Sequence, residues 1–321
     1  MLSRVAERMY WFGRYVERVE NTAQLISVNT NLVMDLPRVP HIWASTLDIT
    51  GNSEGFQRRF TRVDERNVVK FLLEDDTCSI RAFVRSAREN ARTTREIMPS
   101  EAWVLVNELH LFLQKDLKKG LNREGRHRFL AEIIGHCHEL TGLMAGSMST
   151  DVAYNFIKIG RNLERADMSS RIVDVGTLNL ITDQAKGTQM EYDSILWMNV
   201  LRSLTGYQMY RQHVKDRVNG EDVVDFLLKN RKFPRAVAHC LAEVQHCCSE
   251  LPLNDLPLRS ISQALRSIES NDVIKLLNDS KLHEFIDEVQ LDFAAIHEQV
   301  ANTWFGYVVE PSQPQSTVAS S

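Results

Sequence analysis

A six-residue helical phrase that occurs twice constrains this chain more than any other feature of its sequence. Gly13–Arg18 reads GRYVER, and 147 residues later Gly160–Arg165 reads GRNLER, so that glycine, arginine, glutamate and arginine keep one spacing. A glycine inside a helix costs about 1 kcal/mol relative to alanine. Its return beside the same charged residues therefore indicates a closely packed, ion-paired helix in each half of the chain.

Further matches follow in the same order, as a duplication requires. The matched pairs are Trp43–Leu47 with Trp197–Leu201, Phe71–Leu73 with Phe226–Leu228, and His127–Glu132 with His283–Glu288. Their offset increases from 154 to 155 and 156, which small loop insertions would produce. Each match alone is weak, whereas the ordered set predicts two tandem, internally duplicated repeats.

The spacing of apolar residues predicts an all-α protein. Apolar positions recur every three or four residues from Val5 to Ala23, in a helix that Ser3 would cap and that runs to about Asp35. A cap from Ser149, Thr150 or Asp151 would begin the second long helix. No segment shows the two-residue alternation of a strand. Other helices are predicted over 65–74, 79–97, 100–117, 126–147, 190–215, 220–230, 234–250, 257–280 and 281–307, with polar loops at 51–55 and 118–125.

We therefore expect two helical bundles that share a core and pack about a pseudo-two-fold axis. The first repeat is assigned to residues 1–148 and the second to residues 149–309. Residues 310–321 contain two prolines and several serines, which predicts a disordered tail.

Composition excludes several classes of protein. A net charge of −4 argues against a nucleic-acid-binding chain that relies on a global positive field. The charged amphipathic start is unlike a signal peptide, and no apolar run is long enough to span a membrane. Five cysteines, an odd number without a small-domain framework, are typical of reduced thiols. We expect a cytoplasmic protein with no membrane or nucleic-acid partner.

The charged residues of the repeated phrase lie almost opposite the apolar stripe of their helix. Apolar residues such as Tyr10 and Trp11 surround them there, so both faces of the helix are expected to be covered. A guanidinium held out of water needs a partner. Arg14 could reach Glu17 at i+3 within its own helix.

In the second copy, Arg161 could reach Glu164 in the same way. Arg18 and Arg165 have no carboxylate three or four residues away. They must pair across the fold or bind an anion.

Two interpretations stay open from the sequence. In the first, the Glu and Arg groups of the two helices cross-pair and fix the register of the halves. In the second, the arginines line a pocket that receives a carboxylate or phosphate, which a guanidinium can bind through two parallel hydrogen bonds. The predicted ligand-binding or interface residues are Arg14, Glu17, Arg18, Arg161, Glu164 and Arg165. No catalytic residue, metal ion or cofactor is predicted.

Other motifs favour structural roles. His239, Glu243 and His246 share one helix face and resemble half of a di-metal motif, but no second half is well placed. His136 and His138 flank Cys137 at i and i+2, which point to different sides of a helix. Gly51–Gly55 matches the letters of a nucleophile elbow without the strand that such an elbow requires. The repeated tryptophans, Trp43 and Trp197, are predicted core residues.

Three segments resemble the bacterial Alpha-E family, a helical domain with a Glu-Arg motif. They are the opening run Leu2–Arg18, the run Arg88–Arg92, and the second motif at Glu164–Ala166. The resemblance covers nearly the whole chain except the tail, and one asymmetry is that Met168 stands where the first copy has Asn21. The family resemblance implies partnership with circularly permuted ATP-grasp-type ligases, transglutaminase-like proteins and a peptidase in a peptide synthesis or modification system.

The resemblance carries no assigned activity, so three functional hypotheses follow. The first is a non-catalytic helical partner of the ligase that presents a substrate carboxylate to it. The second is an enzyme of the same pathway that uses the Glu-Arg helices as acid/base and anion clamp. The third is a structural protein whose buried ion pairs serve folding alone.

Overall fold

The computed structural model describes residues 2–35, 41–184 and 190–306. Within these ranges the chain is helical and contains no strand, as predicted. The first helices are α1 (Ser3–Asp35), α2 (Ile42–Ile49), α3 (Ser53–Gln57), α4 (Glu65–Glu74), α5 (Ile80–Thr93), α6 (Ser100–Leu121) and α7 (Arg123–Ser147), with a 3₁₀ turn at Arg95–Ile97. The others are α8 (Val152–Gln184), α9 (Met190–Ser203), α10 (Tyr207–His213), α11 (Gly220–Lys229), α12 (Val237–Ser249), α13 (Asp255–Ser270), α14 (Val273–Asn278) and α15 (Leu282–Trp304). The predicted disordered tail lies outside the described residues.

The two long helices begin and end close to where the sequence predicts. α1 and α8 each contain 33 residues, and Ser3 is the first helical residue of α1 rather than its cap. Of the three candidate caps before α8, Asp151 makes the capping contacts, because its carboxylate accepts the backbone N–H groups of Ala153 and Tyr154.

The predicted polar loop over 118–125 is wrong. α6 continues to Leu121 and α7 begins at Arg123, so that Asn122 alone joins them. Gly120 is buried against the ring of Phe129, and the buried Arg126 side chain donates to the Gly120 carbonyl oxygen at 3.1 Å. The polar residues that suggested a solvated connector are therefore part of a packed helical corner.

The helix predicted over 190–215 is interrupted at 204–206. Thr205 adopts a left-handed conformation with φ of 51°, and the Gly206 N–H bonds back to the Leu201 carbonyl oxygen. The same turn follows α2, where Gly51 has φ of 66° and the Asn52 N–H bonds to the Leu47 carbonyl oxygen. Both turns end a helix with a left-handed residue that frees the chain to reverse.

Two other boundaries also differ from the prediction. The helix over 257–280 is divided at 271–272 into α13 and α14. Part of the predicted loop at 51–55 is helical, because α3 begins at Ser53.

α1 and α8 pack against each other at the centre of the molecule. α5 and α7 flank α1, while α12 and α15 flank α8; α6 and α13 form the outer layer on the two sides. The short helices cross over, since α2 packs against α8 and α9 against α1. The four matched sequence segments lie on α1 and α8, α2 and α9, α4 and α11, and α7 and α15.

The glycines of the repeated phrase mark the closest approach of the central helices. A β-carbon on Gly13 would overlap the Ile157 carbonyl oxygen, and one on Gly160 would overlap the Tyr10 carbonyl oxygen. The two helices therefore touch backbone to backbone, which only glycine permits. Trp43 and Trp197 are buried, as predicted. Among the described helices, none has the length and apolar character needed to cross a membrane.

Candidate functional site

The glutamates of the repeated phrase lie in the dry centre of the molecule. Glu17 and Glu164 are 1% and 2% exposed, respectively. A carboxylate at this depth must be matched by cations and hydrogen bonds, since an unpaired buried charge costs several kcal/mol. Both glutamates are matched, and in each case by guanidinium groups that come from the other half of the chain.

Glu164 is held by the two arginines of α1. Arg18 binds it through two parallel hydrogen bonds, Nε to Oε1 at 2.5 Å and Nη2 to Oε2 at 2.8 Å. Arg14 adds a third, Nε to Oε2 at 2.7 Å. Arg14 also donates to the phenol oxygen of the buried Tyr10. The charge of Glu164 is therefore compensated by two guanidinium groups.

Glu17 is held in a related way by the second half. Arg165 donates from Nε to Oε1 at 2.9 Å and from Nη2 to Oε2 at 2.7 Å. The third hydrogen bond comes from Arg235, whose Nη1 lies 3.0 Å from Oε1. Arg235 also binds Glu20 and donates to Asn21 Oδ1, so its buried guanidinium has three acceptors.

The predicted pairs within one helix, Arg14 with Glu17 and Arg161 with Glu164, are wrong. The two helices cross so closely that a guanidinium reaches the opposite carboxylate end-on, a geometry that matches its planar fork. Arg161 is the member of the predicted set that the network leaves out. Its half-buried side chain has no hydrogen bond or salt bridge to the part of the chain that the structure describes, and its Nε is buried without a partner.

The network keeps both carboxylates ionised. Burial alone would raise the pKa of Glu17, but Arg165 and Arg235 outweigh it and lower the pKa to about 2. The pKa of Glu164 is also lowered, because Arg14 and Arg18 outweigh the effect of burial. Against the effect of burial, Tyr10 and Glu164 raise the pKa of Arg14, and Glu17 raises the pKa of Arg165. At neutral pH each glutamate is a fixed anion within an ion-paired cluster.

A cleft opens beside Arg18 and is called the Arg18 cleft below. Its volume is about 300 Å³, and it is lined by Arg18, Thr22, Ile49, Thr50, Gly51, Asn52, Thr77, Cys78, Phe83, Glu164, Asp167, Met168 and Arg171. Of the six predicted site residues, it contains Arg18 and Glu164. It shares its wall of Gly51, Asn52, Thr77 and Cys78 with a groove of about 500 Å³ that runs along residues 48–58. The cleft and the groove adjoin at these four residues.

The charges in the Arg18 cleft come from α1 and α8. Arg171 donates from Nε to Asp167 Oδ1 at 3.0 Å, in an i,i+4 pair. Burial raises the pKa of Asp167 despite this partner. Burial and a hydrogen bond to Asp75 raise the pKa of Cys78 to about 11, so this thiol is protonated at neutral pH. The cleft therefore presents ion-paired carboxylates, guanidinium groups, hydroxyls, an amide and a protonated thiol.

Sequence reasoning missed Arg235 and the residues that complete the cleft. Arg235 precedes α12 and is more than 200 positions from the carboxylates that it binds, so no local pattern connects them. Arg171 could have been found as the i+4 partner of Asp167. The Arg18 cleft itself cannot be seen in a sequence pattern, because residues distant in the sequence line it.

The other candidate sites are occupied by ordinary contacts. His239 Nδ1 lies 2.9 Å from the Arg231 carbonyl oxygen, and His138 Nε2 lies 3.2 Å from Glu20 Oε1. Ser53, the serine of the elbow-like letters, donates to Asp48 at the start of α3.

Among the described residues, the ligand atoms of Asp174, His283 and Asp287 cluster closely enough to hold a metal ion. The His283 ring nitrogens already face the two carboxylates, at 2.8 and 3.7 Å, and the cluster is largely exposed. It is a histidine–carboxylate ion pair between α8 and α15.

Comparison with known proteins identifies a family for the chain. A family model named Alpha-E, described as a predicted alpha-helical domain with a conserved ER motif, matches residues 1–305. Glu-Arg dipeptides stand at the helix crossing, as Glu17–Arg18 and Glu164–Arg165, and also at Glu7–Arg8 and Glu65–Arg66. No curated protein and no solved structure is significantly similar to the chain.

Proposed function

The chain belongs to the Alpha-E family, and we propose that it is a non-catalytic helical module that partners a circularly permuted ATP-grasp-type ligase and transglutaminase-like proteins in peptide synthesis or modification. In this role it presents a carboxylate-bearing substrate to the ligase. The resemblance described above supplies the class of partner, and the geometry of the Glu-Arg network supports the absence of chemistry within the chain itself.

The observation that carries the proposal is that both buried glutamates are fully paired with guanidinium groups. A general acid or base needs a pKa near its working pH and an open path to the reacting group. Glu17 and Glu164 instead have lowered pKa values, and each accepts three hydrogen bonds from guanidinium groups. They are suited to holding two helices together, which disfavours the acid/base hypothesis for these residues.

The proposal includes the internal duplication and the pseudo-two-fold arrangement of the halves. Three relationships support it. The repeated phrases contact each other reciprocally through Gly13 and Gly160. Each glutamate binds arginines of the other half. Matching left-handed turns follow α2 and α9. In this arrangement the network fixes the register of two related bundles and makes a rigid platform.

The Arg18 cleft is the part of the platform that we assign to substrate. The Arg18 side chain is 29% exposed, against 12% for Arg14 and 13% for Arg165, and it borders open space. We place the module in the cytoplasm, where its five free thiols would stay reduced.

Co-purification with an ATP-grasp-type ligase encoded by a neighbouring gene tests the proposal. We expect a stable complex, and we expect its ATP consumption in the presence of peptide to exceed that of the ligase alone. The chain by itself should consume no ATP. If no complex forms and the chain has no effect on the ligase, the proposal is wrong and the purely structural hypothesis stands.

A Glu17→Gln variant separates the module from the enzyme hypothesis. If the variant folds and binds the ligase, the module hypothesis predicts unchanged turnover of the complex. Lost turnover with intact folding and intact binding would instead assign Glu17 a catalytic role. Glu89→Gln, which alters an exposed carboxylate paired with Arg92, is the matched control.

A further inference from the structure

We propose that the Arg18 cleft binds the carboxylate of a peptide, and that the chain has one such site rather than two. The inference deepens the substrate-presenting role proposed above and uses the proposed duplication to compare the halves. It rests on three observations: a counterpart in the second half that is filled by a side chain, a threonine hydroxyl in the cleft without a partner, and a guanidinium cluster with one uncompensated positive charge.

The region of the second half that corresponds to the cleft is filled by Arg235. Residues 147 positions apart in the two central helices are equivalent, so Glu17 and Glu20 correspond to Glu164 and Asp167. The Arg235 side chain lies against Glu17, Glu20 and Asn21 and is 8% exposed. In the first half Cys78 lines the equivalent space with a much shorter side chain, and the cavity remains.

Two equivalent hydroxyl groups, those of Thr22 and Ser169, also differ between the halves in their hydrogen bonding. Ser169 donates to the backbone carbonyl oxygen of Arg235 at 2.8 Å. Its equivalent on α1 is Thr22, which is 2% exposed and lines the Arg18 cleft. The Thr22 hydroxyl has no hydrogen-bond partner among the described residues. A hydroxyl that lines a cleft without a protein partner can bind a ligand oxygen there.

The guanidinium groups of the cleft retain donors and positive charge. Arg171 uses Nε for Asp167, which leaves its two terminal nitrogens free to bind a ligand. Arg18 uses Nε and Nη2 for Glu164, which leaves Nη1. With Arg14, three guanidinium groups face the two carboxylates Glu164 and Asp167. One positive charge is left, and a carboxylate with two acceptor oxygens would neutralise it.

The adjoining groove indicates a ligand larger than a free anion. It continues from the cleft past Gly51 and Asn52 to Asp48 and Arg58, with a volume of about 500 Å³. The Asn52 side chain at the junction makes no hydrogen bond to the described part of the chain, so its amide is available to a peptide group. A peptide carboxylate in the cleft would leave the neighbouring residues of that peptide in the groove.

Calorimetric titration of the full chain tests the proposal with defined probes. These are N-acetyl-Ala-Ala with a free carboxylate, its C-terminal amide, the α-amide of N-acetylglutamate, and inorganic phosphate. We expect the free acid to bind at one site per chain and the C-terminal amide to bind at least about tenfold more weakly, because it lacks the charge that the arginines neutralise. The glutamate derivative, whose carboxylate is on the side chain, distinguishes a peptide terminus from an acidic side chain as its source.

Three variants locate the site. Arg171→Gln should weaken binding of the better carboxylate by about tenfold or more, since it removes two free donors and the charge. Thr22→Val, which keeps the side-chain shape, should weaken it by a smaller factor. Cys78→Arg should abolish binding by filling the cleft as Arg235 fills its counterpart. Arg231→Gln, at an exposed arginine paired with Glu269, should leave binding unchanged.

Equal binding of acid and amide, binding of phosphate without the peptide acids, two sites per chain, or unchanged affinity in folded Arg171→Gln and Cys78→Arg would each overturn the inference. These titrations use the chain without the ligase. Failure of the complex to form would therefore refute the proposed function while leaving the binding result intact, and the reverse also holds.

Discussion

Gly13 and Gly160 face each other across the centre of the molecule, each against the carbonyl oxygen of the residue three positions before the other. No side chain separates the two backbones at this point. The arginines and glutamates one turn further along are consequently close enough to pair between helices. The glycines thus set the geometry that the ion pairs require.

Gly13→Ala should destabilise the protein strongly. The added β-carbon would overlap the Ile157 carbonyl oxygen, and backbone cannot move aside as a flexible side chain can. We expect a loss of about 3 kcal/mol or more in the free energy of unfolding, measured by urea denaturation. Gly135→Ala is the matched control, because that exposed helical position has open space around it. This substitution should leave the free energy of unfolding unchanged or raise it. Equal effects of the two substitutions would refute the close crossing.

Glu17→Gln should destabilise the fold through the charges that it leaves behind. Arg165 and Arg235 would keep their buried guanidinium groups without a counter-charge, and removal of one partner from such a cluster costs about 3–5 kcal/mol. Thermal and urea unfolding measure the loss. Glu89→Gln should change stability by less than about 1 kcal/mol, because its ion pair is exposed. A tolerated Glu17→Gln would mean that the pairing contributes little.

Acidification should weaken the protein through the same carboxylate. The pKa of Glu17 is about 2 in the folded chain, against an ordinary value of 4.5. Its contribution, about 3 kcal/mol, is therefore complete above pH 4.5 and is lost as the pH falls towards 2. Denaturation at a series of pH values should show this decline. The decline should be smaller in Glu17→Gln, and an identical pH dependence in the two proteins would contradict the assignment.

Cys78 should be the one thiol of the native protein that reacts with a maleimide. Cys137, Cys240, Cys247 and Cys248 are fully buried, whereas Cys78 is half-buried at the Arg18 cleft. Its pKa of about 11 predicts slow labelling at pH 7 that accelerates as the pH rises. Mass spectrometry should find one modified cysteine in native protein and five after denaturation. Labelling of another cysteine in the native state would show that the core opens readily.

Much of the fold could be predicted from residue spacing, because helices depend on local information. The apolar periodicity from Val5 to Ala23 predicted α1, and the prolines at 37 and 40 predicted its end near Asp35. The residues before α8 included its true cap, Asp151. Errors arose where packing overrides local composition. Residues 118–125 read as a loop because they are polar and contain glycine, yet Gly120 is buried against an aromatic ring.

Most residues of the candidate site were predicted from the sequence, but the pairing between them was not. The sequence singled out five of the six residues of the two saturated clusters, and it raised pairing across the fold for Arg18 and Arg165. It could not rank an i+3 partner of Arg14 against a partner on a crossing helix, because that choice depends on the distance between helices. Arg235 and the Arg18 cleft depend on three-dimensional proximity alone.

Each half of the chain holds the cations that the other half requires. Glu17 is neutralised by Arg165 and Arg235, and Glu164 by Arg14 and Arg18. A gene truncated near residue 149 would encode a fragment with a bare carboxylate in its interior and two surplus guanidinium groups. When the two fragments are present together, the arginines of each can pair with the glutamate of the other. We therefore expect the fragments to reassemble when co-expressed and to aggregate when each is produced alone.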